Sequence, residues 1–185
     1  MSMEQRLAIL EQEVRRLKDI EAIKQLRWEY SRACDDDHNP DRLVPMFAAD
    51  ACIVLNPPFS GEVRGHAALR EMFANNARIN GITWTLHYYL QPLITVADDG
   101  LTAKATWYLW ELAKMPNAAG GEEPVWVAGE YFDDYVKQDG RWMFQRIDVH
   151  VRLLSPYQDG WVKTMVRGVH PPRTTASSTS TENTP

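Results

Sequence analysis

The chain has 185 residues, 44% of them hydrophobic, and sets 20 basic against 25 acidic residues for a net charge of -5, a balance that suits one globular domain and excludes disorder throughout. Mild acidity without a Lys/Arg run argues against nucleic acid as a partner, because phosphate-binding surfaces carry a basic stripe. The amino terminus holds acids from Glu4 onward and never runs apolar for the length of a signal-peptide core or a membrane span, so a cytoplasmic protein without membrane contact is expected.

Leu7, Leu10, Val14 and Leu17 recur at helical spacing with Glu and Arg on the other faces, which predicts an amphipathic helix over residues 3–18 with one apolar stripe. Asp19 can cap a second stretch, in which Ile20, Ile23, Leu26, Tyr30, Ala33 and Cys34 keep the same spacing; the helix either continues or breaks briefly at 18–19. The run DDDHNPDRL ends it, and Pro40 is placed to open a short helix carrying Leu43, Met46 and Phe47. Residues 51–56 read as a strand, Pro57, Pro58 and Gly61 as a loop, and 65–76 as a helix through Leu69, Met72 and Phe73.

From residue 82 the period changes. Four segments rich in β-branched and aromatic residues predict four long strands. The turns Asp98-Asp99-Gly100 and Gln138-Asp139-Gly140 join neighbours as hairpins, and MPNAAGGEEP makes a longer excursion. Helices first and antiparallel strands afterwards predict an α+β layout, not βαβ units. In the last strand both parities are partly apolar, Trp142 and Phe144 on one side and Met143, Ile147, Val149 and Val151 on the other. One covered by helices and a pocket, the other by a second subunit, is the arrangement this predicts. Residues 1–168 are expected to form the domain, and 169–185 a low-complexity tail. Cys34 and Cys52, each in an apolar context, read as buried thiols.

The chain holds no HExxH, no paired CxxC, no Gly-rich phosphate loop and no GxSxG elbow, which points to chemistry by side chains alone, without metal or cofactor. Asp35-Asp36-Asp37 lacks the spaced oxygens of a calcium loop and reads as a solvated helix end. Asp35 nevertheless follows Cys34 at the end of a buried stripe, so a carboxylate is delivered to the edge of the core. His87 lies mid-strand, sharing parity with Thr85, Tyr89 and Gln91; alone it is either a hydrogen-bonded core residue or a general base. Together the two suit proton abstraction, because a carboxylate can hold one ring nitrogen while the other takes the proton. Tyr30, five residues before Asp35, is placed to line the same cavity as a core aromatic or a phenolic donor. Trp28, Tyr89, Trp107 and other aromatics suit the walls of a pocket for a flat apolar substrate. Glu111, Arg146, Asp148, His150 and Arg152 add polar groups to covered strands, some to pair with each other and some to meet a ligand.

The segment LEQEVRRLKDIEAIKQLRWEYSRACDDD, followed downstream by TLHYYLQPLITV, resembles the SnoaL-like branch of the nuclear transport factor 2-like superfamily over about residues 3–155. Its KDIEAIK stretch leading to a Tyr and an Asp is similar to bile acid 7-alpha-dehydratase, and more distantly the chain resembles hexachlorocyclohexane dehydrochlorinase and scytalone dehydratase. The resemblance implies an α+β cone-shaped barrel, a strongly curved and mainly antiparallel sheet closed by three amino-terminal helices around an internal pocket. It also implies a homo-oligomer, a trimer before a dimer, and an Asp-His dyad that eliminates water or a small fragment such as formaldehyde from a hydrophobic hydroxylated polycyclic or aromatic substrate. By position Asp35 and His87 match that dyad, Tyr30 matches the family's active-site Tyr, and Glu111 falls where the family carries a strand-borne carboxylate. Arg146 and Arg152 both compete for the family's strand-borne Arg, and register decides which faces the pocket. A ketosteroid-type isomerase and a non-catalytic binding or structural subunit are the competing functions.

Overall fold

The computed structural model describes residues 1–76 and 80–167. Met3–Asp35 form a single unbroken helix, α1. No Gly or Pro interrupts this span, and a reciprocal capping box starts it: the Gln5 backbone N–H donates to Ser2 Oγ at 3.2 Å and the Ser2 N–H to Gln5 Oε1 at 2.8 Å. Asp19 does not cap a second helix. Its carboxylate reaches sideways, accepting from Trp142 Nε1 at 2.9 Å and pairing with Lys137 at 2.5 Å. The first half of α1 is exposed, and the second buries Ile23, Leu26, Arg27, Tyr30, Ala33 and Cys34.

Asn39 caps the short helix α2 (Pro40–Leu43) through its side chain, and a 3-10 turn (Val44–Met46) leads into strand β1 (Phe47–Leu55). A short strand β2 (Gly61–Arg64) follows where the Pro/Gly pattern predicts only loop; four exposed or half-buried residues leave no alternation to read. Helix α3 (Gly65–Ala74) buries Leu69, Met72 and Phe73. The four long strands are β3 (Trp84–Val96), β4 (Thr102–Pro116), β5 (Glu122–Gln138) and β6 (Arg141–Pro156), followed by α4 (Gly160–Lys163). They form one six-stranded sheet in the order β2-β1-β6-β5-β4-β3, antiparallel except for the parallel β1–β6 pair. The α+β architecture matches the expectation. The predicted tail lies outside the described residues, among which no helix is long and apolar enough to cross a membrane.

Two bulges set which side chains look inward. Along β6, Phe144 pairs with Tyr135 but Arg146 with Asp134, leaving Gln145 as an extra residue. An extra residue inverts parity downstream, so Trp142 and Phe144 share the inner face with Ile147, Val149 and Val151. The bulge by itself accounts for the mixed parity of this strand. Along β3, Gln91 and Pro92 stand against Trp107 alone, and Gln91 takes φ 49°. Thr85, His87 and Tyr89 face inward as predicted, whereas Gln91 is exposed.

On the inner face Arg27 of α1, fully buried, forms an ion pair with Asp133 of β5. Tyr135 Oη donates to the same carboxylate at 2.7 Å and accepts from Trp107 Nε1 at 3.2 Å. The guanidinium also lies 4.4 Å from the ring centre of Tyr89 and 4.7 Å from that of Tyr131, geometry in which a desolvated cation gains from ring quadrupoles. Burial works against the Arg27 charge, and Asp133 together with Tyr89, Tyr135 and Tyr30 outweighs it. Removing one partner of such a pair strands a charge in the core. Asp133→Ala is expected to destabilise the fold by about 3–5 kcal/mol in chemical denaturation, whereas Asp134→Ala, which breaks only the exposed pair with Lys104, costs less than about 1 kcal/mol.

Candidate active site

The carboxyl end of α1 and the middle of β3 meet at one carboxylate. Asp35 Oδ1 accepts from His87 Nδ1 at 2.7 Å, from the His87 backbone N–H at 3.0 Å and from Thr85 Oγ1 at 3.4 Å, while Oδ2 lies 3.3 Å from the same backbone N–H. A ring nitrogen bonded to a carboxylate carries the proton, so the tautomer is fixed and Nε2 is left with its lone pair or, in the imidazolium, a second proton. Nε2 lies 3.5 Å from Glu111 Oε2. Glu111 is the residue directly opposite His87 in the β3–β4 register, so the contact follows from strand pairing.

The His87 side chain is only 6% exposed. Burial pushes its pKa down, but Glu111 and Asp35 outweigh that effect and hold it above the ordinary 6.5. Burial pushes the Glu111 carboxyl up, with His87 opposing, and Oε1 of Glu111 has no hydrogen-bond partner. The two groups thus share the task of carrying one proton in a low-dielectric site.

These groups open onto a cavity between the sheet and the helices, walled by apolar side chains including Ile53, Phe73, Leu109, Val127, Val149 and Val151. Tyr30, Cys34 and Tyr131 add polar atoms to the wall. Burial holds the Tyr30 phenol well above its ordinary range, with the Cys34 thiol adding to the shift, so it stays protonated. His38 sits in a left-handed turn just past α1, at φ 51°, with its ring centre 6.1 Å from that of His87. Burial and the facing His87 push His38 down to about 4, which keeps it neutral. Asn76 Nδ2 lies 3.4 Å from His38 Nε2 and its Oδ1 accepts from Asn80 at 2.7 Å.

Of the residues singled out in the sequence, Asp35, His87, Glu111 and Tyr30 converge here. Tyr89 stacks on the His87 ring, 5.9 Å between centres and 14° between planes, and Trp107 lies behind it in the Arg27 network. Trp28 is 48% exposed on α1, away from the cavity. Arg146 and Arg152 both lie on the outer face, paired with Asp148 at 2.8 Å and Glu130 at 3.4 Å. The Gln145 bulge inverts the parity that brings Arg146 inward in a regular strand, and Arg152 itself occupies a second bulge, since Gly129 pairs with Val151 and Ala128 with Leu153. Sequence reading missed Arg27, His38, Cys34, Asn76 and Tyr131 as parts of the site or its support. Cys34 and Tyr131 carry the right parity to be found, but an Arg within an apolar helical stripe reads as a snorkelling edge residue, and nothing local announces where His38 turns.

Cys34, His38 and His87 each offer a ligand atom, all within 4.8 Å of one another, a donor set of the types zinc takes. Without an ion, burial holds the Cys34 thiol far above its ordinary range, so an ion at this set would have to displace the thiol proton.

A model of the SnoaL-like domain matches residues 15–148. The chain belongs to the SnoaL-like family. Solved structures of similar fold include the following three. One, provisionally designated an aromatic ring hydroxylase of Novosphingobium aromaticivorans, is 26% identical, with a TM-score of 0.64 over 77% of this chain and 96% of its own. Another, from the same organism and provisionally designated a scytalone dehydratase, is 21% identical, with a TM-score of 0.65 over 85% of this chain and 95% of its own. Hexachlorocyclohexane dehydrochlorinase LinA-type3 of Novosphingobium barchaimii is 18% identical, with a TM-score of 0.67 over 86% of this chain and 99% of its own. The SnoaL-like chain thus has the nuclear transport factor 2-like α+β fold, with His87 on β3 at one edge of the six-stranded sheet.

Glu111 stabilises the charged form of His87, so neutralising it by Glu111→Gln lowers the imidazole pKa, and Asp35→Asn acts in the same direction. An NMR titration of the His87 ring is expected to show a midpoint above 6.5 in the wild-type protein and a lower one in each variant; an unmoved midpoint in both contradicts the electrostatic account.

Proposed function

We propose that this chain is an elimination lyase that works without metal or coenzyme. The observation that carries the reading is the His87 imidazole, held at Nδ1 by Asp35 and presenting Nε2 to an apolar cavity beside Glu111. His87 Nε2 removes a proton from a carbon acidified by a neighbouring carbonyl, enone or aromatic ring. Asp35 keeps the ring oriented, and with Glu111 it stabilises the imidazolium that forms. The electron pair left on carbon forms a double bond and expels the leaving group, which Tyr30, kept protonated by burial, assists with its phenolic proton. Water is one leaving group; in a retro-aldol-like step His87 instead takes the hydroxyl proton of a hydroxymethyl group, the C–C bond breaks to release formaldehyde, and the bonding pair passes into the neighbouring carbonyl, enone or ring, which Tyr30 protonates.

The names of the structural neighbours support the reaction type: a dehydratase loses water and a dehydrochlorinase loses hydrogen chloride. The apolar walls support a hydrophobic, hydroxylated polycyclic or aromatic substrate, in keeping with the resemblance to bile acid 7-alpha-dehydratase. One feature favours a second reading. A carboxyl pushed up by burial can donate to an oxyanion, as in ketosteroid-type isomerases, and Glu111 is such a group. A ligand carrier, by contrast, has no use for an oriented base in its cavity.

A panel of hydroxylated steroids and aromatic diols in deuterated water, read by product mass, separates the two: lyase action lowers the mass by water or a fragment, whereas isomerisation conserves the skeleton. On any compound turned over, His87→Ala is expected to lower kcat/KM by about 10²–10⁴-fold, and near-wild-type turnover by that variant removes the role of His87. Because the base must be neutral and its pKa is raised, kcat/KM is expected to fall as the pH drops through a midpoint above 6.5. Glu111→Gln moves that acid limb lower.

A further inference from the structure

The apolar stripe on the first half of α1 is left uncovered by its own domain. Its apolar side chains Met3, Leu7, Leu10, Val14 and Leu17 are 76%, 56%, 61%, 49% and 60% exposed. They follow one another at intervals of four, three, four and three residues, the a/d repeat of a two-stranded seam. On the same helix Gln12, Glu13, Arg15, Arg16, Lys18 and Asp19 line a recess against the β3–β4 turn. Gln12, Arg15, Arg16 and Asp19 are the positions opposite the a/d stripe, and Glu13 and Lys18 flank it, so a polar side of the helix lies toward its own body while the apolar stripe faces outward. About 21 Å of helix, from Met3 to Leu17, carries the stripe.

The flanking charges say what covers it. With Leu7 and Val14 at a, and Met3, Leu10 and Leu17 at d, the g positions are Arg6 and Glu13 and the e positions Glu4, Glu11 and Lys18. In a parallel in-register pair each g residue faces the e residue five places on in the other helix. Arg6 then meets Glu11 of the second copy and Glu13 meets Lys18, twice each by symmetry, with no like-charged pair. The antiparallel arrangement that stacks Leu7 on Leu17 and Leu10 on Val14 sets Glu11 against Glu11 and Glu13 against Glu13, and gains only Glu4 against Lys18 in return. A Val at a with Leu at d also favours two strands over three. The helix reaches this face already formed, because its capping box closes one end and the Asp19 contacts with Trp142 and Lys137 anchor the other, so little ordering entropy opposes pairing.

We propose that residues 3–18 of α1 form a parallel, in-register, two-stranded coiled coil with a second copy of this chain. The dimer places two catalytic domains on the same end of a shared stem, and it stands or falls independently of the chemistry proposed above.

Sedimentation velocity on the full chain tests it. Leu10→Glu with Leu17→Glu is expected to halve the particle mass while leaving the thermal melting of the domain in place. Glu13→Lys, which sets lysines against Lys18, is expected to weaken association at least tenfold, and adding Lys18→Glu to restore it. Under mild oxidation Leu10→Cys is expected to yield a covalent dimer, since d positions meet their own copies only in a parallel pair, whereas Gln12→Cys on the far face yields none. A monomeric wild-type chain, an unchanged mass in the double Glu variant, a failure of Lys18→Glu to rescue, or no Leu10→Cys cross-link overturns the proposal. A fall to one third of the mass overturns the two-stranded form.

Discussion

One carboxylate joins the helical layer to the sheet at the cavity. Asp35 is the last residue of α1, and through Oδ1 and Oδ2 it receives both the ring and the backbone N–H of His87 on β3. A single acceptor therefore locks the position of the strand, the tautomer of the imidazole and the direction of Nε2. The contact spans 52 residues of sequence, so it forms only when the helix and the sheet have docked. Rigid elements on both sides explain how the pair keeps its geometry without help from a loop.

Much of this was legible in the residues. The change from a 3.6-residue to a two-residue period near position 82 marks the helices and the long strands, and the buried stripe ending in Cys34 announces that Asp35 reaches the core edge. Inward parity of His87 with Thr85 and Tyr89 followed from simple alternation. What escaped was set by tertiary accidents of register. Gln145 and Gln91 are ordinary polar residues whose extra place in the ladder appears only against a partner strand, and the side on which Arg146 lies depends on the first of them. Arg27 escaped for a different reason: its burial is tolerable only because Asp133, 106 residues away, is buried with it, and no local pattern reports such a pair.

Placement of the polar groups also accounts for the division of the cavity wall. Strand pairing puts Glu111 beside His87, while the opposite wall, from α3 and the far strands, is apolar. The ionisable pair thus sits on one side, and the apolar side chains facing it lower the local dielectric, which strengthens charge interactions at Nε2. His38, kept neutral at about 4 by burial and by the facing imidazole, contributes a hydrogen-bonding ring there without adding a positive charge that would oppose the imidazolium.

Arg27 lies eight residues before Asp35 on α1, about two turns away on the same buried side. As a cation it works against protonation of His87, and left unpaired in a medium of low dielectric it would pull the imidazole down. Asp133 pairs with the guanidinium and opposes that field, and Tyr135 donates a hydrogen bond to the same carboxylate. The negative end of the α1 dipole, which terminates at Asp35, adds to the support of the imidazolium. The buried ion pair and the proposed base are therefore coupled through one helix: the pair that makes Arg27 tolerable in the core also lets Asp35 and Glu111, rather than the guanidinium, decide the proton affinity of His87.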